Sequence, residues 1–148
     1  MLIFDQLTKL AVMQSFELHE SRPVIDGVFH WTYVRNPGAA WGILAGRTWL
    51  LLVIALAVFV LIVKFFRYLT EGYAERIIAL GLVISGMAGN SIDRIWHGDV
   101  IDFIDFHYHK VWSYPVFNVA DCFITCGCIA MIVSLVFFNK GFWKDTKK

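Results

Sequence analysis

The sequence predicts a mainly α, polytopic membrane protein, and three observations carry that reading. Of the 148 residues, 58% are hydrophobic and only 17% charged, against roughly 45–50% and about 25% in a soluble domain. The excess comes in long runs, the clearest being residues 49–63, fifteen apolar positions without interruption; mean hydropathy over the chain is +0.62. Polar and ionisable groups gather instead in residues 85–121, where Asn90, Asp93, Arg94, Asp99, Asp102, Asp105, Asn118 and Asp121 lie with apolar sequence on both sides. A bilayer protein keeps such groups where they face one another, a wet cavity or a substrate. This stretch is therefore the candidate site.

Taken in order, residues 1–16 read as an amphipathic helix, with Asp5, Thr8 and Lys9 at i, i+3 and i+4 on one face. A surface helix accounts for the pattern as well as a short membrane segment does, because a span needs about 20 apolar residues. The stretch lacks the basic start and small-residue cleavage site of a cleavable signal peptide. Residues 17–47 are polar and broken by Pro23, Gly27, Pro37 and Gly38. Within them, 27–35 is rich in aromatic and β-branched residues and predicts a short strand. Asn36-Pro37-Gly38 reads as a type II turn.

Residues 48–66 predict a span with Trp49 and Lys64 as interfacial anchors, followed by a basic loop over 64–76. Residues 77–96 predict a second span, in which Gly81, Ser85 and Gly89 form a small-xxx-small ladder for close helix packing. Residues 97–115 are too polar and aromatic to cross and read as an interfacial loop, leaving Asp99 and Asp105 exposed. Residues 116–138 predict another span, with Asn118, Asp121 and Thr125 on one face at its start. A tail with four lysines, 139–148, ends the chain. No repeat, linker or low-complexity segment divides it, so residues 1–148 are read as one domain.

Charge orients the spans. The loop over 64–76 and the tail hold seven of the thirteen basic residues, and the positive-inside rule puts that side in the cytoplasm. Asp102 and Asp121 then lie towards the outer surface, with Lys110 and His30 outside. The net charge of +1 and the lack of a basic stripe exclude a nucleic-acid partner. Cys122, Cys126 and Cys128, in one apolar run, cannot make a disulfide framework and read as packing residues. The five histidines, His19, His30, His97, His107 and His109, lie in connecting segments, and His107 with His109 supplies too few donors for a metal site. No nucleophilic serine lies in evident register with a His–Asp pair. What remains is carboxylate chemistry: two carboxylates in a low-dielectric site cannot both ionise, so they share a proton. Such a pair activates water as a base and protonates a leaving amine as an acid.

The motifs DQLTK (5–9), RNPGAAWG (35–42), GNSIDR (89–94), GDVIDFIDF (98–106) and FNVAD (117–121) together resemble, in order and over nearly the whole chain, those of the type II (lipoprotein) signal peptidase family. The resemblance implies a four-helix transmembrane bundle with a small extracytoplasmic β-sheet cradle. It implies an aspartyl endopeptidase of the bacterial inner membrane, both termini cytoplasmic, that cleaves diacylglyceryl-modified prolipoproteins just before the lipid-bearing cysteine. Carried over by position, Asp102 and Asp121 are the catalytic pair. Asn36, Gly38, Asn90, Arg94 and Asn118 match pocket positions, Asp93 joins that network, and Asp5 with Lys9 matches the first helix's motif. No metal or cofactor is implied, and the partners are the prolipoprotein substrates and membrane lipids, with the enzyme a monomer. Two departures stand out. Only four residues precede Asp5, so the first helix is expected to be N-terminally truncated; Trp41 and Ser85 replace the family's usual Phe and Gly.

Two other readings stay open on the residues alone. A transporter or proton relay would use the same Asp, Asn and Arg groups, but 48–63 and 122–138 carry no ionisable side chain other than the three cysteines to continue a relay across the bilayer. An inactive relative of the peptidase is favoured only by the short first helix.

Overall fold

The computed structural model describes residues 1–108 and 111–138. Expectations about His109, Lys110 and the lysine tail lie outside the described residues. Among the described residues, five α-helices and four strands follow one another: α1 (Leu2–Ser15), β1 (Ser21–Ile25), β2 (Phe29–Asn36), α2 (Thr48–Lys64), α3 (Phe66–Thr70), α4 (Ala74–His97), β3 (Val100–Tyr108), β4 (Trp112–Ser113) and α5 (Val119–Phe137), with a 3-10 turn at Ala40–Gly42.

Helix α1 is inverted relative to a surface helix of a soluble protein. Asp5, Lys9 and Val12 are buried, while Ile3 and Phe4 are 75% and 59% exposed. Polar groups inside and apolar groups outside is the arrangement a helix takes when its surroundings are lipid. Helices α4 and α5 pack antiparallel along most of their length. Gly86 makes this possible, since a Cβ there would collide with the backbone oxygen of Ala120, and one at Gly127 would lie 2.6 Å from the Ala79 oxygen. The expected ladder of Gly81, Ser85 and Gly89 is corrected accordingly. Gly81 faces open space, and the close contacts fall at Gly86, against α5, and at Gly89, against the Asp5 carboxylate of α1. Helix α5, 19 residues with mean hydropathy 2.2, is by length and composition long and apolar enough to cross a membrane. Helix α2 is also apolar but has 17 residues, and α4 has 24 but carries charges at both ends.

The basic loop expected over 64–76 is mostly helical. Arg76 belongs to α4 and is fully buried, its guanidinium 2.8 Å from the Glu71 carboxylate and 3.0 Å from Ser134 Oγ of α5. A buried arginine is retained where it is paired, so Arg76 ties α4 to α5 at the end remote from the sheet.

All strand pairings are antiparallel, in the order β1-β2-β3-β4. β1 escaped the sequence reading because it is exposed throughout and contains Pro23, a combination suited to an edge. β3 corrects the largest error: residues 97–115 are not an irregular interfacial loop but contain the longest strand, nine residues. Asp105 therefore sits on β3, its side chain 15% exposed, accepting a hydrogen bond from Thr32 Oγ1 at 2.7 Å; Asp99 is half-buried. Asp99, Asp102 and Asp105 recur every third residue, which looks like loop polarity. On a strand, however, an odd spacing sends side chains to opposite faces, so Asp102 points away from Asp105. Ile101 and Phe103 join Val12 and Tyr33 in a buried cluster between α1 and the sheet. That cluster seats the sheet on the helices.

Candidate active site

Asp102 comes from the start of β3 and Asp121 from the first turn of α5. Asn118 is the N-cap of α5, and its side chain and that of Asp121 form a reciprocal capping box: Asn118 Oδ1 accepts from Asp121 N at 3.0 Å, and Asp121 Oδ2 accepts from Asn118 N at 3.2 Å. Such a box satisfies two helix-end donors and fixes the rotamers of both side chains. One cavity of about 340 Å³ receives both carboxylates, together with Asn36, Gly38, Asn90 and Arg94.

Every carboxylate oxygen of the pair accepts one hydrogen bond. For Asp102 the donors are Asn36 Nδ2 at 3.0 Å and Asn118 Nδ2 at 2.7 Å. For Asp121 they are Asn90 Nδ2 at 2.8 Å and the Asn118 backbone. Burial, then the nearby charge of Asp121, pushes the Asp102 carboxyl up to about 7, partly offset by the Asn36 and Asn118 donors and by Lys9. A carboxyl so placed is divided between its protonated and ionised forms at neutral pH.

Asn36 also shapes the approach to the cavity. Its Oδ1 accepts from Gly38 N at 3.0 Å, an Asx turn. Gly38 does not have the positive φ of a type II turn, which corrects the expected geometry. Glycine is needed there for space, because a Cβ would lie 2.7 Å from the Ile43 oxygen. Arg94 donates to the Gly38 oxygen at 2.8 Å and to the Asn90 oxygen at 3.3 Å, bracing the loop against α4.

Asp93 was expected to join the network of pocket residues that includes Arg94, but the two side chains point to different partners. Consecutive helical residues do not face each other: Arg94 turns to the cavity, while Asp93 turns to α1 and pairs with Lys9 at 2.7 Å. Lys9 also reaches Asp5 at 3.0 Å and Asn90 Oδ1 at 3.0 Å. Asp5, Lys9 and Asp93, each no more than 1% exposed, thus lie behind the cavity rather than on it. Gln6, which the sequence reading passed over, donates to Asp93 at 3.0 Å and to the Gly89 oxygen at 3.3 Å. Its signal was its place inside DQLTK. Also missed was an aromatic wall: Phe117 stacks with Phe106 at 6.1 Å and meets Tyr114 edge-on at 5.8 Å, and Tyr114 and Phe117 line the cavity. Among the described residues no group of three or more His, Cys, Asp or Glu side chains is placed to hold a metal ion.

Comparisons with known proteins give the family. The chain is 43% identical to the lipoprotein signal peptidase of Bacillus velezensis, over 92% of this chain and 88% of the relative. It is 43% identical to that of Bacillus subtilis, over 89% and 85%, and 42% identical to that of Halothermothrix orenii, over 90% and 88%. Two solved structures described as bacterial membrane enzymes superpose with TM-scores of 0.83 and 0.80, each at 35% identity. The first covers 99% of this chain and 84% of its own, the second 92% and 87%. The family model for signal peptidase (SPase) II matches residues 1–137, so this membrane protein, with its buried carboxylate pair, belongs to the signal peptidase II family of peptidases.

Proposed function

We propose that this chain removes signal peptides from diacylglyceryl-modified bacterial prolipoproteins, cleaving just before the lipidated cysteine, with Asp102 and Asp121 as its catalytic pair. The observation that carries the reading is the pair itself: two carboxylates on different elements, facing one cavity, each held by asparagine donors. Sharing one proton, the pair has both halves of a hydrolysis. One carboxylate takes a proton from water as the water oxygen bonds to the scissile carbonyl carbon. The other gives its proton to the nitrogen as the C–N bond breaks. Asp102, with its carboxyl near 7, is the natural seat of that proton. Arg94 and the Asn36–Gly38 turn line the cavity where a substrate backbone would lie. No metal or cofactor takes part.

The same reading places α1, α2, α4 and α5 across the bacterial inner membrane, with the enzyme a monomer. It is supported by the outward apolar faces of α1 (Ile3, Phe4, Leu7), α2 (Leu56, Val60) and α5 (Ile129, Ile132). The site lies at the end of the bundle away from Lys64 and Arg67, hence extracytoplasmic by the positive-inside rule. The test is turnover of a diacylglyceryl-modified prolipoprotein peptide by the purified chain in detergent micelles, with products identified by mass. Cleavage between the signal peptide and the lipid-bearing cysteine is expected. A chain that leaves this substrate intact, or cuts it elsewhere, overturns the proposal.

A further inference from the structure

We infer that Lys9 is a positioning residue that sets the relation between Asp102 and Asp121 without touching either. This rests on the reading of those two residues as the catalytic pair. The ammonium group has three hydrogens and three partners: Asp5 Oδ2 at 3.0 Å, Asp93 Oδ2 at 2.7 Å and Asn90 Oδ1 at 3.0 Å. Each partner leads on by one further bond, two of them to the backbone of the residue before a member of the pair and one to the pair itself. Asp5 Oδ1 accepts from the backbone N–H of Ala120 at 2.9 Å, the residue immediately before Asp121. Asp93 Oδ2 accepts from the backbone N–H of Ile101 at 3.2 Å, the residue immediately before Asp102. Asn90 donates directly to Asp121 Oδ1 at 2.8 Å.

The lysine is thus the common point of three arms, one to β3 and two to the first turn of α5. Its third arm also decides which way the Asn90 amide points. Asn90 Oδ1 accepts from both Lys9 and Asn118 Nδ2, the latter at 3.1 Å. With two donors on that side, the amide oxygen has to face them and the NH₂ has to face Asp121. A reversed amide would set NH₂ against an ammonium and an oxygen against a carboxylate. Gly89 admits the α1 carboxylate to this junction, because a Cβ there would collide with Asp5.

A side chain that only stabilised the bundle would lower the melting temperature on removal and leave the chemistry of the folded fraction alone. A positioning residue is distinguished by kcat and by the pH profile. Lys9→Met, of similar length and uncharged, is expected to lower kcat by about 100-fold with KM within about threefold. It should also move the acid limb of kcat upward by about one pH unit, because a cation near the pair favours its ionised form. Lys9→Met leaves two buried carboxylates facing each other, so the charge-balanced Lys9→Met/Asp93→Asn is the companion variant, expected to recover melting temperature but not kcat. Each is measured on the full chain in detergent, by thermal unfolding and by prolipoprotein-peptide turnover from pH 5 to 9. A folded variant with kcat near that of the parent, or with an unmoved acid limb, overturns the inference; so does failure of both variants to fold, which would assign Lys9 to folding alone. Parent turnover and its loss in Asp102→Asn test the underlying catalytic reading separately.

Discussion

Replacing Asp102 by Asn is expected to move activity and pH-dependent stability in ways that a surface aspartate could not. Asn keeps the shape but cannot give up or hold the shared proton, so turnover should fall by at least about 10³-fold, about 4 kcal/mol in the barrier. Stability follows from the proton as well. Between its ordinary 3.8 and about 7, the folded chain keeps a proton on Asp102 that the unfolded chain has released. The native state then binds more protons, so stability falls as pH rises through that window, by on the order of 4 kcal/mol in all. Above the window the loss is complete, and below it there is none.

The substituted amide does not titrate, which removes this slope, but it introduces a local fault. Asn118 and Asn36 each donate to one carboxylate oxygen of Asp102, and the new NH₂ must confront one of them. A buried donor left without its acceptor costs about 1–3 kcal/mol. By pH 5 the parent has already lost roughly 2 kcal/mol of its proton-linked stability, so Asp102→Asn should be about level with the parent there and more stable than it at pH 8. The gap between them should move by about 3 kcal/mol across that range. Thermal unfolding in detergent at pH 5, 6, 7 and 8, with prolipoprotein turnover on the same preparations, measures both effects. Near-parental turnover, or a stability gap that is the same at pH 5 and pH 8, would refute the assignment of a buried, proton-holding carboxyl to Asp102. Asp99→Asn, half-buried at a bend outside the cavity lining, is the control expected to keep most activity.

Three other outcomes follow from the packing, the chemistry and the charge pattern. Gly86→Ala sets a Cβ against the Ala120 backbone oxygen and should lower the melting temperature and turnover together. Gly81→Ala, with nothing within 4 Å of the added carbon, should change neither. Extended dialysis against a chelator should leave turnover unchanged, since the proposed carboxylate pair would make its nucleophile from water; activity lost to chelator and restored by zinc would contradict the proposed mechanism. In a cysteine-free background, Asp26→Cys should react with a membrane-impermeant reagent on intact cells and Arg67→Cys should not, and the opposite pattern would invert the topology.

The residues of the candidate pair were legible because two short motifs, VIDF and FNVAD, carry the resemblance to the family, although the strand that holds VIDF was not. What could not be read was how distant elements meet. Asp93 and Arg94 are adjacent in GNSIDR and read as members of one network, but 100° of helical rotation gives one to Lys9 and the other to Gly38. The polar face of α1 was visible, whereas its direction, inward rather than outward, depends on whether water or lipid surrounds the helix. Residues 97–115 hid a strand because an aspartate at every third position imitates a loop. β1 was hidden by the absence of any buried position to give it a period. Gly81, Ser85 and Gly89 satisfied a spacing rule that the true contact, Gly86 against Ala120, obeys one position away.

The charge count at the junction gives a physical reason why the proposed pair would keep one proton. Around the cavity and behind it lie four carboxylates, Asp5, Asp93, Asp102 and Asp121, and two cations, Lys9 and Arg94. Asp5 and Asp93 divide the single ammonium between them, and Arg94 spends the hydrogen bonds seen here on backbone oxygens. Among the described residues no cation is therefore bonded directly to Asp102 or Asp121, only asparagine side chains and one backbone N–H. Neutral donors stabilise an anion less than an opposite charge does, and burial raises the cost of every anion left. Four full negative charges against two positive ones cannot all persist in such a place, and the proton goes where no cation competes with it. Asparagine suits these positions because it holds a carboxylate in place without neutralising it. A lysine or arginine bonded to the pair would fix the same geometry and lower the affinity for the proton that general acid catalysis requires.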